Sequence, residues 1–273
     1  MFILYIIVGI IGILVGGIIN ALADDLPHYR RPQRPHYPDG TPRPASAWLG
    51  ITAFLLGKRR SPQGAKLTWR YPLTELATAA LMILTLAVKS SEGTVNNLQI
   101  VFWLGYMAIF VLITVIDLEH KLILFTVMIP SYAVAILDAL VTPLQNNEPD
   151  LPRALIGGAI GFGVFFLLYL GGYVYLYIVN TLQGRNINEV AFGYGDVLMA
   201  TLSGLILGPE RLFFAMFITV FLGAAGALLW LVSRRLSGSG YSMFTALPYG
   251  PYIVAGTIIL LLFSTQVRMF FGY

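Results

Sequence analysis

Residues 192–199 read Phe-Gly-Tyr-Gly-Asp-Val-Leu-Met. They set a carboxylate, Asp196, between a glycine turn and an apolar run of membrane character. An ionisable group is expensive at such a place, so its presence marks a functional site. Its natural partner is Asp117, within residues 114–121, Thr-Val-Ile-Asp-Leu-Glu-His-Lys, at the end of another apolar run.

The composition agrees with a membrane setting. Of 273 residues, 57% are hydrophobic and 11% charged, whereas soluble domains carry about 25% charged residues. The expected fold is an all-α polytopic membrane protein of about eight transmembrane helices with one long cytoplasmic loop. The 28 glycines fit this class, because small residues let membrane helices approach closely. There are no cysteines, which excludes disulfides and thiolate metal sites. The net charge of +4 is modest, and no basic face points to nucleic acid as a partner.

Hydropathy divides the chain into residues 1–23 as a first transmembrane helix, 24–71 as a Pro/Arg-rich cytoplasmic loop, and 72–273 as a transmembrane core. Ala21-Leu22-Ala23 has the small-x-small form of a signal cleavage site. The apolar run before it exceeds a signal's usual length of about 7–15 residues and lacks a basic start, so a retained span is expected. Further spans are expected near residues 72–88, 98–116, 122–141, 153–180, 197–207, 212–232 and 247–263. Within the loop, prolines between Arg31 and Pro44 argue for extended or irregular backbone. Residues 47–56 are apolar but too short to cross a bilayer, so they are expected along the surface.

Placing the long loop in the cytoplasm puts 13 Lys and Arg residues on that side and four (Lys89, Arg153, Arg211, Arg268) on the other. This obeys the positive-inside rule and sets the N-terminus outside. Most of the asymmetry comes from the first loop. Two crossings separate Asp117 from Asp196, which returns both to the cytoplasmic face. The span after Asp196 has only about 11 residues at 1.5 Å each, short of the hydrocarbon core, so Asp196 is expected below the headgroups.

Two close carboxylates sharing a proton can hydrolyse a peptide. One acts as base toward water and the other as acid toward the leaving amine, and the pair titrates as a unit. Gly193 and Gly195 would allow positive φ and close approach of a substrate backbone. The residues alone equally allow a plain turn, with both aspartates capping helix N-termini.

These motifs resemble those of bacterial type IV prepilin leader peptidases, in the Gly-x-Gly-Asp class of intramembrane aspartyl proteases. The likeness covers nearly the whole chain. Asn20 is followed by Leu26 and Pro27. Arg-Tyr-Pro-Leu-x-Glu-Leu stands at residues 70–76 and Ile-Asp-x-Glu at 116–119. Gly-x-Gly-Asp stands at 193–196 and Pro-x-Gly-Pro at 248–251. The resemblance implies that Asp117 and Asp196 are the catalytic pair, in the bacterial inner membrane. It implies cleavage after a glycine in the short basic leader of type IV prepilins or pseudopilins, substrates of pilus assembly and protein secretion.

Two departures stand out. Many family members bind zinc through two Cys-x-x-Cys pairs in the first loop. Here the second pair would fall near Arg59 and Pro62, and no cysteine exists. Structural zinc usually takes four Cys or His ligands, which His28 and His36 cannot supply, so zinc is not expected. The family's proline soon after the first aspartate is also missing, since residues 121–125 read Lys-Leu-Ile-Leu-Phe. Many members also methylate the new N-terminus with S-adenosylmethionine, an activity linked to this loop and ranked here below proteolysis.

Glu75 and Glu119 are supporting or substrate-binding candidates. Glu75 also suits the N-terminal dipole of its helix, and Glu119, with His120 and Lys121, suits an interfacial anchor that could contact a basic leader. Asp138 is expected as an interhelical partner or exposed to water. The eight basic residues between Arg30 and Lys66 are expected to bind anionic membrane lipid. The alternative from another class is a transporter or proton-coupled channel with the two aspartates as a relay. Against it, both fall near one face and no inverted repeat is found.

Overall fold

A computed structural model describes residues 2–28, 30–91, 96–142, 149–183, 193–236 and 248–271. Arg185, and all or part of the loops 89–97, 142–152, 181–190 and 233–242, lie outside them. The described residues form helices α1 (Phe2–Asp25), α2 (Gly50–Leu55), α3 (Arg70–Ser91) and α4 (Asn97–His120). There follow α5 (Phe125–Val141), α6 (Leu151–Gln183), α7 (Tyr194–Leu236) and α8 (Gly250–Phe271). The chain is an all-α integral membrane protein.

Six of these helices, α1, α3, α4, α6, α7 and α8, are long and apolar enough to cross a bilayer. The expected eight spans differ from this at two places. The fourth expected span forms α5, of only 17 residues. The sixth and seventh run on as α7, which is broken at Gly208. Gly208 takes φ 73° and ψ 174°, open to glycine but costly for other residues, and Pro209 then restarts the helix. The half-helix before the break is roughly 21 Å long at 1.5 Å per residue, short of the hydrocarbon core as the sequence implies.

The chain divides into two compact units, Met1–Val127 and Met128–Tyr273. In the first, α1 packs along α3, and α4 packs on both. Gly16 makes the close approach possible, because a Cβ there would lie 2.5 Å from the Glu75 Cα. The other side of α1 exposes Ile3, Ile10, Leu14 and Ile18, as lipid-facing positions would.

In the second unit α7 packs against both α6 and α8. Backbone meets backbone between α6 and α7: a Cβ on Gly204 would lie 2.1 Å from the Gly157 carbonyl oxygen. This is the small-residue packing that the glycine content implies. Ser203 and Thr257 hydroxyls share a buried 2.7 Å hydrogen bond that ties α7 to α8. Asp138, near the end of α5, is buried and accepts from the hydroxyl of Thr142, just past the helix.

The proline-rich loop has no helix between residues 30 and 44. It forms two turns bridged at His36–Pro42 and at Arg60–Lys66, with Gly40 and Gly64 at positive φ. The second turn occupies the place expected for a cysteine pair. The Ser61 hydroxyl donates to Asp39 and so joins the two turns. Tyr37, Ala47, Ala53, Leu67 and Tyr71 close a small apolar core beneath them. The apolar residues 47–56 therefore fold onto this core through α2 as well as carrying exposed Leu55 and Leu56.

Candidate active site

Asp117 stands in the last turn of α4, in the first unit, and is 5% exposed. The helix closes at Lys121, whose left-handed backbone (φ 53°) lets its N–H donate to the Asp117 carbonyl at 2.8 Å. A carboxylate at a helix C-terminus meets the negative end of the dipole and cannot cap the start of its own helix.

Asp196 belongs to the second unit, in the first turn of α7, and is 8% exposed. Its Oδ2 accepts from the Gly193 N–H at 3.0 Å, and its own N–H donates to the Gly193 carbonyl at 3.1 Å. This is a reciprocal helix start like a capping box, so Asp196 does cap its helix. One correction follows. Gly193 is not at positive φ, and Gly195 lies within α7. Their lack of a side chain leaves room beside the carboxylate, but the turn is an ordinary helix start. Two neighbours frame it. The Tyr132 hydroxyl on α5 donates to the Leu198 carbonyl at 2.9 Å, two residues past Asp196. The Tyr249 side chain, just before α8, lies within reach of the Asp196 charge.

Around the end of α4 the first unit builds an ion-pair network. Arg70 Nη1 donates to Glu119 Oε2 at 2.6 Å, and Arg70 Nη2 donates to Asp24. Asp24 also faces Arg43 Nη2 at 3.5 Å and accepts from the Tyr71 hydroxyl at 3.1 Å. Arg43 packs on the Tyr71 ring, 4.3 Å from its centroid. Burial draws the Arg43 guanidinium below its ordinary pKa, against the pull of Tyr71 and Asp24. Arg43 thus turns inward, which removes it from the eight basic residues expected on lipid. A cavity of about 300 Å³ opens beside the network, lined among others by Asp24, His28, Arg70, Tyr71, Glu119 and His120.

Glu75 has a different role from the one its position in α3 implies. Fully buried, it accepts from the Gly50 and Ile51 N–H groups, the latter at 2.8 Å, and from Asn20 Nδ2 at 3.4 Å. It caps α2, not its own helix, and pins the segment between α1 and α3 to both helices. Asn20 completes the joint by donating to the Tyr71 carbonyl at 2.9 Å.

Each unit thus gathers its own candidates. Asp117 and Glu119 share a turn in the first, with Glu75 set apart under α2. Gly193, Gly195 and Asp196 share a turn in the second. The sequence assigns no role to Asp24, Tyr132 or Tyr249 and sets Arg43 on lipid. An available signal was the acidic pair Asp24-Asp25 facing an arginine-rich loop, with Arg70 at the head of a recognised motif. Zinc does not fit: the chain has no cysteine, and no described group of three or more His, Asp or Glu could hold a metal ion.

Residues 103–228, which contain both aspartates, match the type IV leader peptidase family. A prepilin leader peptidase/N-methyltransferase of Dichelobacter nodosus is 28% identical over 230 residues, 84% of this chain and 68% of that protein. One of the same name from Aeromonas salmonicida is 27% identical over 220 residues, 80% of this chain and 65% of its own. An Escherichia coli type 4 prepilin-like proteins leader peptide-processing enzyme is 27% identical over 224 residues, 79% of this chain and 67% of its own. The chain spans about two thirds of the length of these relatives. No solved structure matches it. Over residues 103–228 the chain is similar to the type IV leader peptidase family.

Proposed function

We propose that the protein is a membrane-embedded aspartyl endopeptidase that removes the leader of type IV prepilins or pseudopilins, with Asp117 and Asp196 as its catalytic pair. The carrying observation is Asp117: a buried carboxylate at the C-terminus of its helix, where the dipole disfavours its charge. The names of the matched relatives supply the substrate class.

In this reading one carboxylate, ionised, takes a proton from water as it attacks the scissile carbonyl. The other, protonated, gives its proton to the leaving amine. The Gly193 N–H bond to Asp196 Oδ2 holds one oxygen and orients the second. The work divides as residues 1–23 for anchoring, 24–71 as the cytoplasmic loop, and 72–273 as the proteolytic core. The protein sits in the bacterial inner membrane with its N-terminus outside, so both aspartates meet the leader at the cytoplasmic face. Glu119, the more exposed of the two carboxylates that Arg70 holds, would meet the leader's basic residues by exchanging that partner. The exposed basic side chains of the loop meet anionic lipid.

Methylation of the new N-terminus is a second reading that rests on the relatives' names. S-adenosylmethionine carries a cationic sulfonium and a ribose, each suited to a carboxylate partner. The carboxylates of the first unit's cavity, Asp24 and Glu119, are already paired with arginines. The cofactor therefore does not fit the site as described, and no step is derived through it. A relay for transport is not favoured.

Mass spectrometry of a prepilin peptide incubated with the purified full-length protein tests the proposal. A product beginning just after the leader glycine is expected; an intact peptide with well-folded protein contradicts it. An added methyl group, seen only with S-adenosylmethionine, would establish the second activity.

A further inference from the structure

Three of the four Lys or Arg residues on the expected outer side converge at one end of the second unit, away from Asp196. Gly208 lies roughly 18 Å along the helix from Asp196 at 1.5 Å per residue. Around the break it makes, Arg153, Arg211 and Arg268 line a cavity of about 200 Å³ with Pro149, Pro209 and Glu210. Arg211 is 4% exposed, and Nε of Arg268 is buried without a hydrogen-bond partner. Glu210 lines the cavity as well, so three arginines against one glutamate leave its formal charge at +2. Several guanidinium groups gathered in one pocket suit a phosphate, which they bind through paired hydrogen bonds.

Pro209 also lines a second cavity, of about 340 Å³ and almost wholly apolar. It follows the groove between α6 and the second half of α7, past Val164, Leu168, Phe213 and Val220. From Pro209 to Val220 it covers about 16 Å of helix, close to half of a roughly 30 Å hydrocarbon core. Its walls are open: Val164 is 50% exposed and Phe213 69%.

We propose that these adjoining cavities form a single phospholipid site. The phosphate sits among Arg153, Arg211 and Arg268, and an acyl chain lies in the α6–α7 groove. Neither cavity includes Asp117 or Asp196, although Tyr249, a neighbour of Asp196, lines the apolar one. The lipid would brace the break at Gly208, where the backbone leaves helical geometry.

Native mass spectrometry of the full-length protein tests it, using phosphatidylglycerol and a diacylglycerol with the same chains as probes. Wild type should retain phosphatidylglycerol about tenfold better than diacylglycerol, a difference of about 1.4 kcal/mol. Substituting Arg153→Gln and Arg268→Gln together should remove most of that preference, whereas Arg268→Lys should keep it. Val164→Trp, which fills the groove from an exposed position, should weaken retention of both lipids. Excess inorganic phosphate should leave the lipid bound. Equal retention of the two lipids by wild type would overturn the proposal. So would undiminished phosphatidylglycerol on the folded double-glutamine or Trp variant, or displacement by inorganic phosphate, which would mark a free-anion site.

Discussion

Arg70 holds Glu119 at 2.6 Å and Asp24 with its other terminal nitrogen, so one guanidinium joins the ends of α1, α3 and α4. Glu119 is two residues beyond Asp117. The link fixes the turn from which the proposed catalytic carboxylate projects.

The two sides of this clamp differ in burial, and that sets the size of each effect. Arg70 and Asp24 expose 13% and 15% of their side chains, whereas Glu119 exposes 37%. Arg70→Gln leaves Asp24 with a weaker set of partners and should cost about 3 kcal/mol of stability. Glu119→Gln breaks only the exposed pair and should cost less than about 1 kcal/mol. Denaturant unfolding in detergent measures both, and equal losses would contradict the ranking.

Glu75→Gln should release α2. The carboxylate accepts from two consecutive N–H groups, and a Gln amide offers one oxygen where two are used. The expected loss is about 2 kcal/mol. It should appear as faster protease cleavage within residues 30–69, with the membrane helices intact. An unchanged cleavage pattern would show that the cap does not hold the loop.

Gly204→Ala should disrupt the second unit, because its Cβ would lie 2.1 Å from the Gly157 carbonyl oxygen, with backbone unable to yield. A loss above about 2 kcal/mol is expected from such overpacking. Gly163→Ala is the control, since its Cβ meets nothing within 4 Å, and it should change stability little. Thermal unfolding separates the two.

The Asp39 carboxyl lies below its usual pKa because the Ser61 hydroxyl and the Thr41 N–H donate to it. A depressed carboxylate stabilises the fold above its unfolded pKa and loses that contribution as pH falls through the lowered folded value. The two loop turns should therefore loosen in acid, and Asp39→Asn should abolish that pH dependence. Limited proteolysis of the loop across acidic pH reads the effect.

Much of this arrangement is legible in the sequence because membrane spans are local. Apolar length alone locates α1, α3, α4, α6 and α8, and the motifs locate Asp117 and Asp196 at helix ends. What remained hidden depends on tertiary partners. Gly208 looks like any loop glycine until its positive φ shows a break inside one long segment. Glu75 looks like a cap for its own helix, because nothing local to it names Gly50 and Ile51 as partners. Arg43 sits among arginines expected on lipid, yet Asp24 and the Tyr71 ring draw it inward. The turns joined by Asp39 and Ser61 were obscured by proline density, which speaks against helix but does not specify which turns form.

The most direct test of the central claim compares cleavage of a prepilin peptide by wild type, Asp117→Asn, Asp196→Asn and the double variant. Groups that act as one unit lose their effect together. Each single variant should abolish leader removal while remaining folded, and the double should be no worse than either. Retained cleavage by a folded Asp117→Asn or Asp196→Asn protein would contradict the assignment of these two carboxylates as the catalytic pair.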